Sequence, residues 1–373
     1  MRRGPAGHGV RCYLCAAGVL ALLACRSTGS LDPRLHFQSR GEVEAQPGND
    51  RVRVTFLGTQ GFLLERAGQA VLTAPLYSNP PLDRVLRNDP LRVDERLIDE
   101  LLPASWVRDV SAILVGHAHY DHLMDVPYVA RTKATSAVVY GSRTMAHLIA
   151  SAFADRARLR SVSPVVDYRM CPGLEVCQGD NAGQAGAWIP VTGDPHTGPS
   201  VRVRALCSEH SAQFAGLGPL WKGCLREDRP ELPSRAEDWP IGDTLAWLVD
   251  FLQDGKPVFR VYYQDSATSP TRGYVHPELL EERAVDLALL CAGAFDQVSD
   301  NPAGILRNTR PRYVLFGHWD DFFRPQSQPF HALPGHDFTP LADRMTTAPG
   351  VPLLAGRFWF PAPGASFVFA AHP

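Results

Sequence analysis

The run His117-Ala118-His119-Tyr120-Asp121-His122 follows closely on the apolar stretch Ala112-Ile113-Leu114-Val115, and this junction constrains the fold more than any other part of the chain. A short continuous apolar run of this kind reads as a buried strand. Three imidazoles and a carboxylate at its end are poor packing residues, because each buried ring needs polar partners. In an extended segment, residues two apart project on the same side, so His117 and His119 stand together as nitrogen donors. Asp121 and His122 follow at once and can turn to a second position. The pattern therefore offers two nitrogens to one metal ion, and a carboxylate plus a nitrogen to another. Such donors suit Zn²⁺, with Mn²⁺ or Fe as alternatives.

The flanking sequence supplies sheets to carry this junction. Residues 52–57 alternate apolar with polar, Gly58-Thr59-Gln60-Gly61 is a turn, and 62–64 and 70–72 continue as a β-meander. Residues 76–92, with several Pro and Asn, read as a loop long enough to cover a site. Further strands are expected at 112–115, 136–140, 201–206, 244–251, 258–263, 285–290 and 313–316. Helical spacing occurs at 94–102, 124–130, 144–153, 277–284 and 334–345. A strand-rich opening followed by alternation argues for an α/β fold, an αββα layered sandwich. The 373 residues are 45% hydrophobic and 20% charged, enough to build one domain over 51–373. With a net charge of -2 there is no basic footprint, so a nucleic-acid partner is not expected.

The first residues read as a leader, 1–24. Arg2, Arg3 and Arg11 precede an apolar stretch over 13–24 that is too short to span a bilayer comfortably. It ends Leu22-Leu23-Ala24-Cys25, which resembles a bacterial lipobox. That resemblance implies cleavage before Cys25 and a lipid on its thiol. Arg26 gives no retention signal for the inner membrane, so an outer-membrane lipoprotein facing the periplasm is expected, with 25–50 as a polar tether. Of eight cysteines, Cys171, Cys177, Cys207, Cys224 and Cys291 lie beyond the leader. An oxidising compartment permits bridges, and the short-loop pairings Cys171–Cys177 and Cys207–Cys224 are expected. Cys291, after an apolar run, reads as a buried free thiol.

The stretch Val115-Gly116-His117-Ala118-His119-Tyr120-Asp121-His122-Leu123 resembles the main signature of the metallo-β-lactamase superfamily. The likeness covers roughly 50–325 and is nearest the branch of ascorbate-phosphate lactonases and N-acyl-phosphatidylethanolamine phospholipase D-like enzymes. It implies an αββα sandwich with two divalent ions at one edge, and it requires three more ligands. His196 and His210 compete for the first. His210 is preferred because it follows the strand at 201–206, and the run Leu220-Trp221-Lys222-Gly223 resembles the branch pattern after it. Asp265, at a strand end in Gln264-Asp265-Ser266-Ala267, matches the bridging carboxylate better than Asp243, which precedes its strand. His318 in Gly317-His318-Trp319 resembles the terminal His-Trp pair.

The resemblance thus implies His117, His119 and His210 on one ion, Asp121, His122 and His318 on the other, and Asp265 between them. It also implies a hydroxide shared by the ions as nucleophile, with Asp121 orienting it. Two departures stand out. The usual Asp-Pro pair after the meander is Ala74-Pro75, and His318-Trp319 is followed by Asp320-Asp321, which read as surface charges. The expected function is a lipid-anchored, metal-dependent hydrolase acting on an ester, lactone or phosphodiester, with a small-molecule or lipid-derived substrate. The alternative is a non-catalytic lipoprotein that keeps the fold to bind a ligand.

Overall fold

The computed structural model describes residues 37–38, 47–162, 186–194, 198–212, 220–269, 272–327, 329–351, 354 and 356–372. The leader, Cys25, Cys171, Cys177 and His196 lie outside these residues. Two mixed sheets dominate. One contains β2 (Arg51–Gly58), β3 (Gly61–Arg66), β4 (Gln69–Thr73), β5 (Val110–Leu114), β6 (Val138–Gly141), β7 (Leu159–Ser161) and β15 (Ser366–Ala370). Its order is β15-β2-β3-β4-β5-β6-β7, antiparallel from β15 to β4 and parallel from β4 to β7. The other contains β1 (Phe37–Gln38), β8 (Ile189–Asp194), β9 (Gly198–Cys207), β10 (Leu245–Gln253), β11 (Lys256–Gln264), β12 (Leu287–Cys291), β13 (Tyr313–Gly317) and β14 (Phe358–Pro361). Its order is β1-β14-β13-β12-β11-β10-β9-β8.

Side-chain alternation explains why the sheets stack. Along β10, Leu245, Trp247, Val249 and Phe251 point to one face and meet Val54, Phe56, Leu64 and Leu114 of the other sheet in a shared core. The opposite faces, with Leu72, Ile113, Leu290 and Phe316, pack with helix residues Ile98, Val129, Leu306 and Leu341. Helices thus cover both outer faces, as the αββα expectation requires. Asp94 caps the helix Glu95–Leu101 by accepting the Leu97 N–H at 3.0 Å, and Ser142 caps Arg143–Leu148.

Several boundaries differ from the sequence reading. Residues 25–50 are not wholly a tether, since β1 pairs in parallel with β14. The loop at 76–92 carries a short helix, Leu82–Leu86. The expected helix at 124–130 is two helices, Tyr120–Leu123 and Val126–Thr132, the second started by Pro127 in its first turn. The last expected helix runs Thr339–Thr347, because Pro340 sets its start.

The pairing of Cys207 with Cys224 is overturned. Cys207 is a free thiol, and on β9 its side chain faces the core between the sheets. Cys224 is disulfide-bonded. Cys291 is free and buried.

Candidate metal centre

Parallel and antiparallel pairing brings four strand ends to one edge. His117, His119, Asp121 and His122 follow β5 of the seven-stranded sheet. His210, Asp265 and His318 follow β9, β11 and β13 of the other. The helix Tyr120–Leu123 begins inside the motif, with His119 as its extended N-cap residue, so Asp121 and His122 ride the first helical turn. His318 has a left-handed backbone (φ 57°) and gives its N–H to the Thr59 carbonyl.

Among the described residues, ligand atoms of His117, His119 and His210 lie within 4.8 Å of one another, and so do those of His117, Asp121 and His122. Each of the first three rings has one nitrogen tied to an oxygen. His117 Nδ1 lies 2.9 Å from Asp265 Oδ1, His119 Nε2 lies 3.0 Å from the Leu220 carbonyl, and His210 Nδ1 lies 2.7 Å from the Ser211 carbonyl. An oxygen acceptor fixes the proton on the nitrogen that it faces. The second nitrogen of each ring is left with its lone pair, and His117 Nε2 is buried without any partner. Neutral imidazoles with one N–H anchored and the other nitrogen turned to a common point are the state that a metal ion takes.

The second group is built from the other charges. Asp121 Oδ2 lies 3.4 Å from both His122 Nε2 and His318 Nε2. Asp265 sits between the groups. It accepts the His117 backbone N–H at 3.1 Å through Oδ2, which is also 3.7 Å from His122 Nδ1. The structure therefore brings His117, His119, Asp121, His122, His210, Asp265 and His318 to one place. Asp265 and His318 stand beside the tight groups of ligand atoms rather than within them. The position before His117 must be small, because a Cβ on Gly116 would fall 2.2 Å from the Asp265 carboxylate.

Burial and neighbouring histidines set the charges. Burial, then His117, holds His119 down to about 3, and burial, then His119, does the same for His210. His117 is lowered well below the usual imidazole range by burial and by His122. Burial also opposes charge on His122, but Asp121 and Asp265 outweigh it and raise that ring. Asp121, although buried, is held well below the carboxylate range by His122 and His318. The arrangement is three neutral donors beside an ionised carboxylate and a readily protonated imidazole.

Asp320 and Asp321 are not surface charges. Their exposures are 4% and 8%. Asp320 Oδ2 accepts the Thr59 N–H at 3.0 Å, while Asp321 takes the Phe323 N–H and pairs with Arg324 at 3.0 Å. At the other departure, Ala74 is fully buried, and Asp125 nearby accepts the Tyr77 and Ser78 N–H groups and the Ser78 hydroxyl. Sequence reasoning missed the anchoring carbonyls of Leu220 and Ser211, since a backbone acceptor leaves no residue-type signal. Gly116 was visible beside His117 but gave no sign of what presses against it.

No family model matches the chain. A UPF0173 metal-dependent hydrolase of Polynucleobacter asymbioticus is 24% identical over 227 residues, which are 58% of this chain and 63% of the relative. The chain is thus similar over part of its length to a curated metal-dependent hydrolase. Its match spans less than two thirds of that curated relative. Among solved structures, an isothiocyanate hydrolase from Delia radicum gut bacteria is 14% identical, with a TM-score of 0.45 over 86% of this chain and 100% of its own. A metallo hydrolase of the archaeon Ignicoccus hospitalis is 15% identical, with a TM-score of 0.42 over 86% of this chain and 98% of its own. In this chain, the edge where four strand ends meet is the place at which the candidate ligands gather.

Proposed function

We propose that this chain is a metal-dependent hydrolase holding two divalent ions, with zinc the best fit to an all-imidazole and carboxylate donor set. The observation that carries this reading is the tied nitrogen on each of His117, His119 and His210. A protein that merely kept the fold would have no need of three buried rings prepared in this way. His117, His119 and His210 would hold one ion, and Asp121, His122 and His318 the other, with Asp265 placed to reach both. When bound, the ions would polarise the scissile bond and activate water near neutral pH. Asp121, ionised and 3.4 Å from two imidazoles, is the acceptor for a proton of the attacking water. The substrate is an ester, lactone or phosphodiester.

The test is zinc restoration of ester hydrolysis in chelator-stripped protein, followed across pH. His119 and His210 are held down to about 3, so loading of the first group should be flat between about pH 5 and 8. His122 is raised and must lose its proton before it can bind. Below that raised value, affinity at the second group should climb about tenfold per pH unit as pH rises. Hydrolysis should follow the second phase and vanish on the acid side. Activity that survives chelation would sink the reading.

The leader and Cys25 support, from sequence alone, export and a lipid anchor in the cell envelope. Mass analysis of the mature N-terminus should find a lipid-modified Cys25, and an unmodified Met1 would refute it.

A further inference from the structure

The turn between β2 and β3 lies inside the protein. Thr59 and Gln60 are both fully buried, although connecting segments ordinarily run over the surface. Thr59 has a left-handed backbone (φ 52°), which a β-branched residue avoids and which persists only where its surroundings hold it. Its N–H donates to Asp320 Oδ2 at 3.0 Å, and its carbonyl accepts the His318 N–H. The Gln60 side-chain amide donates to the Gln264 carbonyl at 2.7 Å, and the Gln60 carbonyl accepts the Thr73 hydroxyl at 2.8 Å. The approach is close, because a Cβ on Gly317 would fall 2.3 Å from Gln60 Oε1 and 2.8 Å from the Thr59 carbonyl oxygen.

His318 depends on this turn in a way that three other rings of the site do not. His117, His119 and His210 each have a nitrogen tied to an oxygen. The Nδ1 of His318 is buried and, among the described residues, has no hydrogen-bond partner. The direction of its ring therefore comes from packing and from the backbone. Phe322 stands edge-on to it with centroids 4.7 Å apart, and a Cβ on Gly293 would fall 2.9 Å from Nδ1. The backbone is itself left-handed (φ 57°) and hangs on the Thr59 carbonyl. Thr59 in turn hangs on Asp320, through Oδ2 alone. At the end of this relay His318 Nε2 lies 3.4 Å from Asp121 Oδ2.

Resting on the two-ion reading above, we infer that Asp320 is a positioning residue for the second ion. Its Oδ2 holds the Thr59 peptide, the Thr59 carbonyl holds the His318 backbone, and the His318 ring is thereby aimed beside Asp121 and His122. An outer partner that orients a ligand carries much of the affinity for the metal. The first group does not depend on this relay, because its rings are anchored on Asp265 and on the Leu220 and Ser211 carbonyls.

The test is a zinc titration of the chelator-stripped full chain against a competing chelator, which reads the two binding phases separately in one buffer. In Asp320→Ala the second phase should weaken about 10–100-fold, while the first stays within about threefold of wild type. Asp320→Asn keeps an oxygen for the Thr59 N–H and changes only the unpartnered Oδ1, so it should restore most of the second phase. Asp320→Leu fills the space without an acceptor and carries the same expectation as the alanine variant if that one fails to fold. A second phase unchanged in Asp320→Ala or Asp320→Leu overturns the inference. So does equal weakening of both phases, the mark of a merely structural role, and so does an asparagine variant as weak as the alanine one. Each of these leaves the hydrolase reading standing. Wild-type protein that takes up fewer than two ions brings down both together.

Discussion

Replacing His117 with Ala is expected to strip the centre of metal and lower turnover by more than about 100-fold, the upper figure for losing only an outer partner of a ligand. His117 belongs to both tight groups of ligand atoms, so its loss removes a donor from each. Elemental analysis should find about two equivalents of zinc, iron or manganese per wild-type chain, and far fewer in the variant. The substitution also leaves the buried Asp265 without its imidazole partner, which destabilises on its own account. His119→Ala is therefore the companion variant, since its anchor is only the Leu220 carbonyl. Circular dichroism on both separates lost ligation from lost folding. Wild-type protein that stays empty after incubation with these ions would favour the ligand-binding alternative.

Asp250→Ala should be the most damaging change to stability away from the centre. Asp250 lies on β10 on the face turned from the inter-sheet core and is fully buried. Its oxygens take the Arg260 Nε at 2.6 Å and Nη2 at 2.7 Å, and the Arg202 Nε at 3.0 Å and Nη2 at 2.8 Å. Arg260 is itself fully buried. Removing the carboxylate leaves that guanidinium with only the partly exposed Glu282 as a counter-charge, at a cost of about 3–5 kcal/mol. The melting temperature should fall on the order of 10 °C. Glu282 reaches the same arginines from a side chain 38% exposed, and its loss should cost less than about 1 kcal/mol. Thermal melts of the two variants and of Asp250→Ala/Arg260→Met, which should recover much of the loss, decide the point. Equal melting of Asp250→Ala and wild type would contradict it.

Much of this architecture was legible because period-two patterning and strand ends are written in residue types. The strands at 52–57, 201–206, 258–263 and 313–316 all fall within observed ones, and that at 112–115 overruns β5 by one residue. The C-terminal strands β14 and β15 were not read. Each is short, and Pro361 at the end of β14, with Pro363 and Gly364 after it, carries the signature of a loop. The helix Ala303–Thr309 was missed too, since seven residues opening on Ala-Gly give little periodicity. At the site, residue chemistry and order along the chain sufficed to collect the seven side chains. What they could not supply was the carbonyl that holds each ring, or the burial of Asp320 and Asp321, because Asp-Asp in a turn looks solvated until tertiary packing covers it. The cysteine pairing failed for a related reason. Sequence distance favoured Cys207 with Cys224, whereas strand alternation turns Cys207 inward.

The candidate metal centre straddles the two sheets, with one set of donors just after β5 and the rest just after β9, β11 and β13. Trp247, deep in the shared core on β10, donates its indole N–H to the Val115 carbonyl at 3.3 Å, two residues before His117. The width of the sandwich is therefore passed directly to the spacing of the donors. A spectroscopic ion such as cobalt placed there would act as a caliper for the whole interior. A core substitution that swells the gap between sheets by a few tenths of an ångström would alter the ion's ligand field while the protein still melted normally.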